Sequence, residues 1–221
     1  MAITYPLTMP SVGGISALYW SLDNTVSETA SDYSGARNFY DRDWMRWKAQ
    51  VTLAAMNESD SRQWAGFFDS LKGGEGVFYL GPTLDGLPTG DLADDYGKVG
   101  GVSPNYYDAG AAASGVKVDT ITTRNWSASG QTIPRGTWFQ IGDGLHVTVE
   151  DEPIIALGEA NPVFVPPLRQ SHADGTLIET ENPKGLFELD EENPVEFVFD
   201  KNGVCLPVTF TAIEAVKYFA D

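Results

Sequence analysis

Residues 47–82 read WKAQVTLAAMNESDSRQWAGFFDSLKGGEGVFYLGP, and the hydrophobic period changes twice within them. In the first seven positions Trp47, Ala49, Val51 and Leu53 alternate with Lys48, Gln50 and Thr52. A period of two with one apolar side is a strand with a single wet face. Between Ser59 and Leu71 the large apolar residues are Trp64, Phe67, Phe68 and Leu71, at helical spacing. They form one stripe, so the spacing predicts a helix over 59–71. Asn57 or Ser59 can cap its start, Glu58 and Asp60 suit the positive end of the dipole, and Gly73 offers a stop. Gly66 lies off the stripe and costs about 1 kcal/mol relative to Ala. Four large side chains at roughly 1.5–3 kcal/mol each on burial outweigh it. After Gly73-Gly74 the run 76–80 (GVFYL) is strand again.

Outward from this unit the pattern is β. Towards the N-terminus, 15–22 (ISALYWSL) places Leu18, Trp20 and Leu22 on one side, and 25–29 reads as a further extended stretch. Beyond Gly81 the composition shifts to Gly, Asp, Ala and Pro up to about Gly115, an irregular excursion. Short apolar runs return at 116–122, 137–141, 145–150 and 162–165, and Pro166-Pro167 marks a boundary. The C-terminal part offers 177–180, 185–189, 195–199 and 204–212, with Asn202-Gly203 as the best hairpin turn. The fold class expected is mainly β, with one packed helix.

The chain has 221 residues, 23 of them Gly and 13 Pro, which suits many short elements. With 14 Lys+Arg against 31 Asp+Glu the net charge is −17. Binding nucleic acid by neutralising phosphates needs clustered cations, so sequence-specific nucleic-acid binding is not expected. No run approaches the roughly 18 apolar residues of a membrane span, so no membrane insertion is expected either. The opening MAITYPLTMPSVGG lacks a basic and then apolar leader pattern, and export by a signal peptide is not expected.

Candidate chemistry is sparse. The single cysteine, Cys205, sits in an apolar run and reads as a small buried hydrophobe. His146 alternates with Val147 and Val149 and reads as a half-exposed strand residue; His172 in SHADG reads as a loop residue. Two histidines without a partner at ligand spacing do not make a metal site. Asp91, Asp94 and Asp95 lack the register of a calcium loop. Gly73–Gly76 follows a helix and cannot aim helix N-terminal amides at a phosphate. Glu188, Asp190, Glu191 and Glu192 read as surface acids, not a glycosidase pair. The expectation is a protein without catalytic residues, metal or cofactor.

Residues 47–82 as a unit resemble a strand–helix–strand signature of distal tail proteins from long-tailed bacteriophages: a Trp-led strand, a helix bearing W-x-x-F-x-x-L, a Gly-containing turn and a strand ending in Gly-Pro. IPRGTWFQIGDGLHVTVED, GEANPVFVPPLR, ENPKGLFEL and FTAIEA are similar to later elements of that family. The resemblance implies a tail-tube-like β-sandwich core with helix ~59–71, built from 1–81 and 169–221, and a second β module inserted at 82–168. It implies a virion protein, made in the host cytoplasm. Such proteins form a ring with copies of themselves, sixfold or pseudo-sixfold, between the tail tube protein and the hub or tip proteins of the baseplate. DNA passes through the lumen, where carboxylates would repel phosphate.

The alternative is a carbohydrate-binding β-sandwich module for host-surface adhesion, with Tyr106, Tyr107, Trp126 and Trp138 as stacking platforms. One expectation is independent of either reading. A thiol reagent should label native Cys205 far more slowly than the denatured chain, and equal rates would show the residue exposed.

Overall fold

In a computed structural model, which describes residues 3–30, 37–82, 106–107, 118–126, 131–155, 158–190 and 195–218, the chain is mainly β with one α-helix. Strands β1 (Ile15–Ala30) and β2 (Arg37–Leu53) form a long antiparallel hairpin. Sequence periodicity predicts only parts of both, because 37–46 is too polar to show a pattern; backbone pairing carries the strands through it. The helix α1 spans Glu58–Leu71, and β3 (Phe78–Leu80) follows its turn. Then come β4 (Tyr106–Tyr107), β5 (Thr123–Arg124), β6 (Thr132–Ile133), β7 (Trp138–Ile141), β8 (Gly144–Thr148) and β9 (Glu152–Pro153). The remaining strands are β10 (Phe164–Val165), β11 (Ile178–Glu179), β12 (Gly185–Leu189) and β13 (Thr209–Glu214).

The strands make a five-stranded antiparallel sheet in the order β1-β2-β13-β12-β3 and a four-stranded one in the order β10-β8-β7-β11. Two small pairs, β4 with β5 and β6 with β9, flank them. The inner face of the first sheet is the apolar side of the β2 alternation: Trp47, Ala49, Val51 and Leu53 are all buried, and Gln50 opposite them is exposed. Helix α1 docks there with Trp64, Phe67, Phe68 and Leu71 buried, the predicted stripe. Phe67 meets Phe78 edge-on at 5.5 Å between centroids, and Phe68 meets Phe210 at 5.0 Å. The helix starts as expected, with the Asn57 side chain accepting from the Asp60 amide at 2.9 Å. It ends at Leu71 as expected, with Lys72 already left-handed at φ 51 and Gly73 following at φ 71.

The second sheet has a core on each face. Trp138, Leu145 and Val147 pack into the first core, while Phe139, Ile141 and Phe164 belong to a second one with Ile121, Trp126, Ile133, Ile154, Leu168 and Ile178. The sheet is therefore a wall between two cores. Packing crosses the limits of the expected insert 82–168 in both directions. Leu145 from inside that range helps to close the first core, and Ile178 from beyond it belongs to the second sheet and the second core. The Asn202-Gly203 turn is present: Asp200 N–H donates to the Val204 carbonyl at 2.9 Å and Gly203 takes φ 79. Its flank 195–199 makes a single bridge, Phe199 to Cys205, and no full strand. Asp91, Asp94 and Asp95, and Glu191 and Glu192, lie outside the described residues.

The docking of α1 has a measurable consequence, because a helix of this length is marginal unless it packs. Trp64→Ala should cost about 3–5 kcal/mol in urea unfolding. Arg62→Ala should cost under about 0.5 kcal/mol, since it removes only the exposed pair with Glu58. Equal losses would mean that the stripe is not what holds the helix.

Candidate functional site

The alternation that sends Trp47 and Ala49 inward sends Arg46 and Lys48 to the opposite face of the first sheet. There Arg46, Lys48, Glu188, Asp190 and Lys217 line a hollow of about 410 Å³. Lys48 Nζ lies 3.2 Å from Asp190, reaching over β13, and Arg46 Nε donates to Asp23 of β1 at 3.2 Å. Lys217 pairs with Glu188 and donates to the Gly74 carbonyl at 2.6 Å. Each cation is thus matched to a carboxylate on a neighbouring element. The cations stay partly exposed while Asp190 and Glu188 are largely covered, and the pairs act on the field of this face.

Behind the same strands an aromatic cluster joins the two sheets. Trp47 lies 4.6 Å from Trp138 and 6.0 Å from Trp20 between ring centroids, and Trp20 lies 5.5 Å from Phe187. The Trp47 indole donates to the Leu145 carbonyl of β8 at 2.9 Å. Beside it a buried ion pair, Arg169 with Glu214, lies at 2.7 Å. In the sequence Arg169 stands out only as the end of PPLR. A further signal is present: in FTAIE the period of two that turns Phe210 and Ala212 inward also turns Glu214 inward, and an inward carboxylate needs a cation.

The proposed stacking platforms are placed differently from expectation. Trp126 is 8% exposed, and its indole donates to Thr123 Oγ1 at 2.6 Å. Its backbone amide donates to the Gly158 carbonyl at 3.1 Å, and a Cβ at Gly158 would come within 2.4 Å of the Trp126 oxygen. That close backbone approach is open only to glycine, and the ring itself lies in the second core, so Trp126 is a core residue and not a surface platform. Trp138 is half-buried against Trp20 and Trp47. Tyr106 and Tyr107 pair through their backbone with Arg124 and Thr123. Their side chains lie outside the described residues. Of the two whose side chains are described, Trp126 lies in the second core and Trp138 packs against the first.

His146 is a second correction: it is buried, not half-exposed. Its ring stacks on Phe139 at 5.5 Å and meets Phe164 edge-on at 5.0 Å. Nδ1 lies 2.7 Å from the Pro166 carbonyl, which fixes the tautomer with the proton on Nδ1. The alternation itself is real; what it conceals is that the polar side of β8 faces a second core. Burial, with Arg169 and His172 adding repulsion, pushes the imidazole down to about 3. Burial also lowers His172, partly offset by Asp143. Asp143 in turn accepts from the Tyr79 hydroxyl at 3.0 Å, and burial raises that phenol. Cys205 is buried as expected, and burial raises its thiol.

Among the described residues no three of His, Cys, Asp and Glu are grouped to hold a metal ion, and no helix is long and apolar enough to cross a membrane. No protein-family model matches the chain, and no curated protein does.

The buried imidazole predicts an acid sensitivity whose sign comes from linkage. The unfolded chain takes up a proton below about pH 6.5, and the folded chain only near 3, so stability falls as pH falls through that window. Between pH 6.5 and 5, before most carboxylates titrate, the loss should be about 1.6 kcal/mol, the slope rising towards about 1.4 kcal/mol per pH unit as the unfolded imidazole becomes fully protonated. His146→Phe should flatten most of that slope in unfolding measurements, leaving the smaller share of His172. An unchanged slope would mean that the ring is solvated.

Proposed function

We propose that the chain is a structural, non-enzymatic subunit of the tail tip of a long-tailed bacteriophage. Copies would associate in a ring between the tail tube and the hub or tip proteins, with DNA passing through the lumen. The observation that carries this reading is the reach of the β1–β2 hairpin. The strands have 16 and 17 residues, yet β13 backs β2 only over Lys48–Thr52. From Met45 outward, among the described residues, the hairpin is a two-stranded ribbon of roughly 25 Å at 3.3 Å per residue. An isolated two-stranded ribbon is marginal in water, so a ribbon of this length calls for a partner surface. β1 is also an edge strand, whose outer hydrogen-bonding groups suit another chain.

The motif resemblance in 47–82 supplies the kind of assembly, and the mainly β fold with one docked helix is compatible with it. Charge fits as well. A chain at −17 repels phosphate, and a face on which cations are already paired gives DNA few places to stick. Virion localisation and the neighbouring tail proteins as partners belong to the same reading. Of the four platforms named for the adhesion alternative, Trp126 is buried in the second core.

Light scattering and negative-stain electron microscopy of the purified chain test the proposal. Closed rings are expected, and a variant with residues 26–41 replaced by a short turn should stay folded but lose them. A monomer at every concentration, with and without the hairpin, would overturn it.

A further inference from the structure

Strand β13 leaves the first sheet at Glu214, after pairing Ile213 with Lys48. The edge of β2 that it covered continues. Leu53 N–H donates to Val208 on the β13 side at 2.8 Å, so the odd-numbered residues of β2 present their backbone groups to that side. The next groups in line are the Trp47 N–H and the Met45 carbonyl. Both are occupied, and by side chains. The Glu214 carboxylate accepts from Trp47 N–H at 3.1 Å, and the Arg169 guanidinium donates to the Met45 carbonyl. The two side chains are bound to one another, with Nε to Oε1 at 3.2 Å and Nη2 to Oε2 at 2.7 Å. Glu214 is 1% exposed at its side chain and Arg169 12%. A buried ion pair of this kind contributes little net stability compared with apolar residues of the same volume, and its worth lies in the geometry that it imposes.

The pair sits beside a break in the β1–β2 pairing. One residue further out the register slips: Asn24 faces Met45, but Val26 faces Asp41. Three residues of β2 therefore stand against one of β1, an irregularity that bends a ribbon. Met45 is the last regular position before that bend. Arg169 in turn follows Leu168, whose side chain is in the second core and whose amide donates to Val118 at 2.8 Å.

We infer that Arg169 and Glu214 form a side-chain splice that extends the β13 ladder by two bonds and so fixes the direction in which the β1–β2 ribbon leaves the sheet. Because Arg169 is anchored by the second core, the splice also ties the ribbon to that core. A shift of the second core against the first sheet would be transmitted to the ribbon at Met45. Both residues are positioning residues for the ribbon.

Amide hydrogen exchange resolved by residue or by short peptide tests this. In the wild type the Trp47 amide should be protected like those of Ala49 and Val51. In Glu214→Gln and in Arg169→Met, residues 37–47 should exchange at least tenfold faster, while 48–53 and α1 keep their protection. If a single variant fails to fold because a buried charge is left alone, the double variant R169M/E214M removes both charges and should give the same local pattern. Unchanged exchange over 37–47 would overturn the splice, as would a uniform loss across the chain, which is what a merely stabilising contact gives. A Trp47 amide that exchanges freely in the wild type would overturn it without any variant.

Discussion

Everything in this molecule meets at Trp47. Its backbone amide is bound by the Glu214 carboxylate, its indole by the Leu145 carbonyl, and its ring by Trp20 and Trp138. One residue thus touches the edge strand, the second sheet and the buried ion pair. An indole suits the position because it is large enough to bridge two sheets and carries one donor that can be satisfied in the dry space between them. The two β layers are held by this contact and the apolar packing around it, and the hairpin leaves from the same point.

The second sheet bears the cost of serving as a shared wall. A strand with a core on each side cannot keep a wet face, so its polar residues must find partners inside. His146 does so with the Pro166 carbonyl, and Thr148 with that of Pro134 at 2.7 Å. Both acceptors are proline carbonyls just past the ends of β10 and β6, so the polar side chains of β8 also hold the chain where it leaves those strands.

How much of this could be read from the sequence depended on whether the local pattern reported a single environment. The helix and its stripe were legible because Trp64, Phe67, Phe68 and Leu71 see one core, and among the other residues of α1 only the small Ser61 is buried. The same holds for 47–53, and for 185–189, where β12 falls on the predicted run. Legibility failed where two influences overlapped. The outer half of β2 is set by pairing with β1 and not by burial, so 37–46 carried no period. His146 alternates correctly, but the sequence does not say that a second core lies on the polar side. Trp126 is a similar case: a Trp in a Gly-rich and polar neighbourhood looks exposed, and only its approach to Gly158 shows otherwise. The Arg169–Glu214 pair joins positions 45 residues apart, a separation at which no periodicity speaks.

The paired charges on the outer face of the first sheet have a consequence at longer range. A lone carboxylate projects a monopole, which salt screens only beyond about 8 Å. Lys48 with Asp190, and Arg46 with Asp23, project dipoles instead, whose fields fade within a few ångströms of the surface. At a distance from its surface this face therefore carries a weaker field than the number of its charged side chains suggests.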